Sequence, residues 1–319
     1  MRGVPSPHEP GCVLRSGVRA SRPQVAVGNR WGMEELFYFV FGLDRAQTFV
    51  TPMKFPTLKS IACLGLFFAC CALVRSADTP AASRHWVSLF NGKNLDGWTI
   101  KISGHPVGEN YADTFRVEEG MIKVYYDKYG KFDKQFGHLF SNVAYSHYIL
   151  RMEYRFTGTM MADAPNYVNL NSGVMIHAQS PQSMGLNQGF PASLEVQFLA
   201  DEGKGRRSTC NVCTPGTNIE MGGKLITQHI VESSAPTFPA EEWVHVEVEV
   251  HGNDDVIYRV NGVEVLRYQR PQLDPADHTA DDLFKAGANK YLSFGHLALQ
   301  AEGQPVWFRN IEQTSLEQP

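Results

Sequence analysis

The stretch SLEVQFLAD, Ser193 to Asp201, sets Leu194, Val196 and Phe198 against Glu195 and Gln197, because successive side chains of a strand point to opposite faces. A carboxylate on the polar face of a central strand can serve as a general base or as a metal ligand, and an amide two residues on is placed to bind a hydroxyl. His177 in NSGVMIHA shares a face with Met175. If its strand neighbours that of Glu195, the imidazole is an acid or a ligand beside the carboxylate. His138 in GHLF and Arg151 in LRMEYR are further candidates for the same face, the guanidinium to polarise a carbonyl or hold an enolate oxygen. The plainer account of Glu195 and Gln197 is a solvated sheet face, and of Arg151, Glu153 and Arg155 a charge ladder of small energetic worth.

Other groupings carry less. His245, Glu247, Glu249 and His251 form a row that resembles a ligand set, but exposed sheet faces look like this for solubility alone. The chain has no HExxH, no EF-hand loop, no phosphate-cradling glycine loop, no serine elbow and no dinucleotide fingerprint. A divalent cation on Glu195 and His177 is left open.

The elements that must position these groups are strands. HYILRMEYRF and WVHVEVEVHG alternate with period two, and DDVIYRVNGVEVLRY is a hairpin whose Asn261-Gly262 pair suits a type I′ turn. Only Asp274 to Gly287 reads as a short helix. Many short strands without alternating helices predict an all-β antiparallel sandwich in a single domain. Long loops rich in Gly, Pro, Ser and Asn, SPQSMGLNQGFPAS and RRSTCNVCTPGTNIEMGGK, are expected over one end of it.

The 319-residue chain has a net charge of -4, which gives no basic field for nucleic acid. Residues 53–77 have the layout of a secretory signal: Lys54 and Lys59, an apolar run from Ser60 to Val74, and a small-residue exit. That run is too short to span a bilayer, so the mature chain is expected to lack a transmembrane span and to be exported to the periplasm or beyond the cell. Residues 1–52 then read as a mis-called extension and 78–85 as a linker. A lipid anchor at Cys70 or Cys71 would place Phe67 and Phe68 where an aliphatic and then a small residue are preferred. Cys210 and Cys213 remain, either as a tight disulfide or as two free thiols.

The ordered motifs WVSLFNGKNLDGW, NSGVMIH, SLEVQFLAD, VNGVEV and GHLALQAEGQPVWFRNIE resemble the 3-keto-disaccharide hydrolase family, with a domain over residues 86–314. The resemblance implies a concanavalin A-like jelly roll, exported in bacteria, that cleaves glycosides bearing a ketone at carbon 3. It implies catalytic roles for Glu195 and His177, substrate contacts from Gln197, Arg151, His138 and Asn171, and a sugar 3-dehydrogenase as pathway partner. His177 stands where the family pattern leads one to expect arginine, which puts the substrate in doubt. The alternative is a non-catalytic carbohydrate-binding module in which Trp98, Tyr111 or Tyr167 stacks on sugar. A secreted adhesion or scaffold domain would have neither sugar binding nor a polar cavity.

Overall fold

The computed structural model describes residues 84–316. The expected extension, the export signal and the start of the linker lie outside the described residues.

In chain order the strands are β1 (Val87–Ser88), β2 (Trp98–Ile102), β3 (Phe115–Glu118), β4 (Met121–Val124), β5 (Gly137–Tyr145) and β6 (His147–Phe156). There follow β7 (Asn171–Ala178), β8 (Leu194–Leu199), β9 (Asn211–Cys213), β10 (Thr217–Met221), β11 (Lys224–Ile226) and β12 (Ile230–Val231). The last are β13 (Val244–His251), β14 (Asp255–Val260), β15 (Val263–Leu273), β16 (Gly295–Ala301) and β17 (Val306–Ser315), with helix α1 (His278–Lys285) before β16. They build a ten-stranded sheet, β11-β10-β15-β14-β13-β6-β17-β4-β3 with β1 on β17, and a seven-stranded sheet, β12-β9-β8-β7-β16-β5-β2. The strand pairs within both sheets are antiparallel, as an all-β jelly-roll sandwich requires.

Alternation decides what lies between the sheets. Leu194, Val196 and Phe198 of β8 and Val244, Val246, Val248 and Val250 of β13 are all buried in one core, each such side chain contributing roughly 1.5–3 kcal/mol by leaving water. Tyr154 of β6 stacks on Phe198 of β8 at 4.2 Å, fastening one sheet to the other. The Asn261-Gly262 turn joins β14 to β15 with φ of 50° and 80°, the left-handed pair a type I′ hairpin needs. Helix α1 is shorter than the expected Asp274 to Gly287 segment, because Asp277 caps it by accepting from the Thr279 amide.

The outer face of β13 is the ion-paired surface its alternation suggested. His251 contacts Glu249 at 2.7 Å, and Arg259 contacts the same carboxylate at 2.7 Å. Among the described residues no helix is long and apolar enough to cross a membrane.

Candidate active site

The seven-stranded sheet turns its inner face to the core, so its other face is where polar side chains must be explained. Across one line of this face the register sets Phe140, Ala298, Met175, Glu195, Cys213 and Ile230 side by side. The next line carries Lys101, His138 and Gln300 on β2, β5 and β16, then Gly173, Gln197 and Asn211 on β7, β8 and β9. Leu299 pairs with Val174, which makes Gln300 the neighbour of Gly173. Beyond them Asn171 pairs with Leu199, and Glu302 follows the end of β16.

A cavity of about 720 Å³ stands over this face, with Glu195, Glu302, Gln197 and Asn171 in its lining. Loops deeply bury the face itself: Glu195 keeps 6% of its surface and Glu302 3%. Gly173 makes the arrangement possible. A Cβ there would lie 2.8 Å from both Cγ and Oε1 of Glu195, so the Glu195 side chain occupies the space that only glycine leaves open.

The walls are tied by polar contacts. Arg207 donates to the carbonyls of Leu170, Ala200 and Asn169, drawing together the two loops on that side of the cavity. Asn171 donates to Tyr167 O at 3.1 Å, and Tyr167, 58% exposed, stands at the mouth. On the other side Phe190 packs on Phe136 at 4.7 Å and meets the ring of His138 edge-on at 5.9 Å.

Burial sets the electrostatics. With little water to solvate its charge, Glu195 is pushed up to about 8, a rise moderated by the nearby Gln300 amide. Glu302 is held well above the ordinary carboxyl range by burial and by the charge of Glu195. The two carboxyls therefore resist ionising together, and near neutrality the pair holds at least one proton. Cys213 opposes Glu195 across the strand pair, and burial together with the two carboxylate charges keeps it a thiol.

Glu195 and Gln197 lie on this floor as their alternation predicts, and Asn211 donates to Gln197 Oε1 at 3.0 Å. Asn171 lies there too, with its Oδ1 buried and unpartnered. His138 lies deeper, under Phe190, with neither ring nitrogen hydrogen-bonded.

His177 and Arg151 do not join them. At His177 φ is +49°, which breaks the alternation of β7, and the ring turns to Gly252 O at 3.0 Å in the hairpin between β13 and β14. The backbone of His177 passes so close to Gly295 that a Cβ there would stand 2.3 Å from it. The proposed pairing of His177 with Glu195, as catalytic partner or shared metal ligand, is thereby corrected. Arg151 is on the outer face of the other sheet, paired with Glu312 at 2.6 Å and stacked on Trp86 at 3.8 Å. Alternation had given its face along the strand but not its sheet.

Gln300 and Glu302 join the site beyond the sequence expectation: Gln300 follows the alternation of LALQ, whereas Glu302 stands in a polar stretch that reads as a loop. Cys210 and Cys213 are both free thiols, the first in the core and the second at the cavity. Of the aromatic residues considered for stacking, Trp98 is buried and donates to Leu89 O, and Tyr111 stacks on His105, so only Tyr167 faces the cavity. Among the described residues no group of three His, Cys, Asp or Glu could hold a metal ion.

The 3-keto-alpha-glucoside-1,2-lyase-like domain matches residues 85–314. The chain belongs to this family. It is accordingly a carbohydrate-active, glycoside-cleaving hydrolase or lyase on a jelly roll. No curated protein matches it. Among solved structures it is similar to a Parabacteroides distasonis protein provisionally described as a glycosyl hydrolase, at 18% identity over 73% of this chain and 94% of that one, TM-score 0.44. It is also similar to the carbohydrate-binding module CBM66 from Bacillus subtilis, at 9% identity over 70% and 98% of the two chains, TM-score 0.41.

Proposed function

We propose that the cavity over Glu195 and Glu302 cleaves 3-keto-glycosides by elimination, with Glu195 as the base. The observation that carries the reading is a buried carboxyl pair on a cavity floor, in which one member is raised into the working range of a general base and the other stays protonated. A ketone at carbon 3 acidifies the hydrogen on carbon 2. Glu195 takes that proton, and the C–H electrons form the enolate. Return of the carbonyl then makes a double bond between carbons 1 and 2 and breaks the bond from carbon 1 to the leaving oxygen. That oxygen needs a proton, which the protonated Glu302 gives in this reading. Water adding across the new double bond would turn the elimination into net hydrolysis.

Gln197 and Asn171 supply hydrogen bonds for sugar hydroxyls, and Tyr167 at the mouth offers a ring face for a sugar plane. An exported chain, periplasmic or extracellular, fits the signal-like residues 53–77. A reaction that oxidises the carbon 3 hydroxyl of a glycoside must supply the substrate, and a sugar 3-dehydrogenase is the class that does so.

The test is release of a chromophore from a 3-keto-glucoside beside its unoxidised parent. Release from the keto substrate alone, lost in Glu195→Gln, supports elimination. Saturable sugar binding with no release from either substrate would favour the carbohydrate-binding module instead.

A further inference from the structure

His138 and Gln300 stand out because so little holds their polar atoms. Both residues are fully buried, they are direct partners in the register of β5 and β16, neither imidazole nitrogen makes a hydrogen bond, and the Gln300 amide has only the Glu195 carboxyl to turn to. Buried polar groups are nearly always paired, since leaving one unsatisfied forfeits its hydration without return. Two unpartnered imidazole nitrogens beside an amide that leans on the Glu195 carboxyl, one strand away from the Gly173 over which Glu195 lies, are an unfilled recognition site.

Lys101 adds charge to the same line. It is buried beside His138, and its ammonium donates to two backbone carbonyls, Ile102 O at 2.9 Å and Leu186 O at 2.8 Å. The second bond fastens the loop that ends in Phe190. Phe190 lines the cavity on one side and touches the His138 ring on the other, so it separates this site from the cavity.

Resting on the elimination reading, we infer that His138 and Gln300 form the subsite for the ketone oxygen of the sugar, reached when the Phe190 ring swings aside. The imidazole N–H and the amide NH₂ donate together to the ketone oxygen, and more strongly to the enolate oxygen into which it turns. The remaining acceptors, Gln300 Oε1 and the second imidazole nitrogen, meet the hydroxyls that flank the ketone. The positive charge of Lys101 favours the enolate without touching it. Burial keeps His138 uncharged, its protonation depressed to about 3, so it acts as a hydrogen-bond donor and not as an acid.

Hydrogen–deuterium exchange at carbon 2 of a 3-keto-1,5-anhydroglucitol isolates this step, because that sugar can enolise but has no aglycone to expel. The wild-type chain is expected to catalyse exchange and Glu195→Gln to abolish it. His138→Phe and Gln300→Leu are each expected to slow it by roughly 10²–10³-fold, and His138→Gln, which keeps a donor, to recover part of the loss. His138→Phe discards only unpartnered buried atoms, so its thermal midpoint should hold or rise, whereas a structural role would lower it. Exchange within threefold of wild type in both apolar variants would overturn the subsite and leave the elimination reading standing. So would a slowed exchange in His138→Phe matched by a clear fall in its thermal midpoint. Absence of exchange and of glycoside cleavage in the wild type would overturn both.

Discussion

At the scale of the residue, the Glu195 carboxyl couples activity and stability to pH in opposite directions. Its folded value, about 8, lies above the ordinary 4.5 of a glutamate, so the folded state binds the proton more tightly than the unfolded one. The stability this contributes is complete below about 4.5 and is lost as pH rises through about 8, on the order of a few kcal/mol. Glu195→Gln should remove the loss, so its unfolding midpoint should exceed that of the wild type above pH 8 and converge with it in acid; thermal scans across pH 5–9 measure this. Activity runs the other way, because the base must be ionised: kcat/KM should climb with pH and bend near 8. A profile flat from pH 5 to 9 would remove Glu195 from the proton transfer. Gly173→Ala tests the neighbour. A methyl 2.8 Å from the Glu195 side chain displaces the carboxyl and should lower kcat at least tenfold, at a stability cost of about 1–3 kcal/mol.

At the scale of the element, bulges and loop ties decide which polar side chains meet. Strand alternation in β8 was enough to place Glu195 and Gln197, and the Asn261-Gly262 hairpin was legible from two residues. It failed at His177, where a positive φ inside β7 sends the ring to Gly252; a bulge depends on the close approach of Gly295 from a distant strand, which no local pattern records. It failed at Arg151 because period two distinguishes faces but not sheets. Glu302 follows β16 in a polar stretch that reads as a loop, and only its proximity to Glu195 gives it meaning. The wall held by Arg207 is the element most exposed to a single change. Arg207→Ala frees the carbonyls of Leu170, Ala200 and Asn169, and it should raise KM more than it lowers kcat, with faster proteolysis near residues 200–210 as the independent readout.

At the scale of the whole molecule, the sandwich gives one sheet to stability and the outer face of the other to chemistry. The ten-stranded sheet spends its exposed side on ion pairs such as Arg151 with Glu312 and Arg259 with Glu249, while the seven-stranded sheet buries carboxyls, amides and an imidazole under loops. Burying such groups costs folding energy that a solvated face would avoid, which is the mark of a functional site. The fold and the family motifs were readable along the chain; the convergence of Glu195 with Glu302 was not, since it arises from strands more than a hundred residues apart. The central claim is that this pair drives elimination on a 3-keto sugar, and the most direct measurement is the product formed from a 3-keto-glucoside followed by NMR in D₂O. The account predicts a 1,2-unsaturated 3-keto sugar, or its hydrate carrying deuterium at carbon 2, and no such product from Glu195→Gln. A 3-keto sugar released with its carbon 2 hydrogen fully retained would mean direct displacement at carbon 1 and would contradict it.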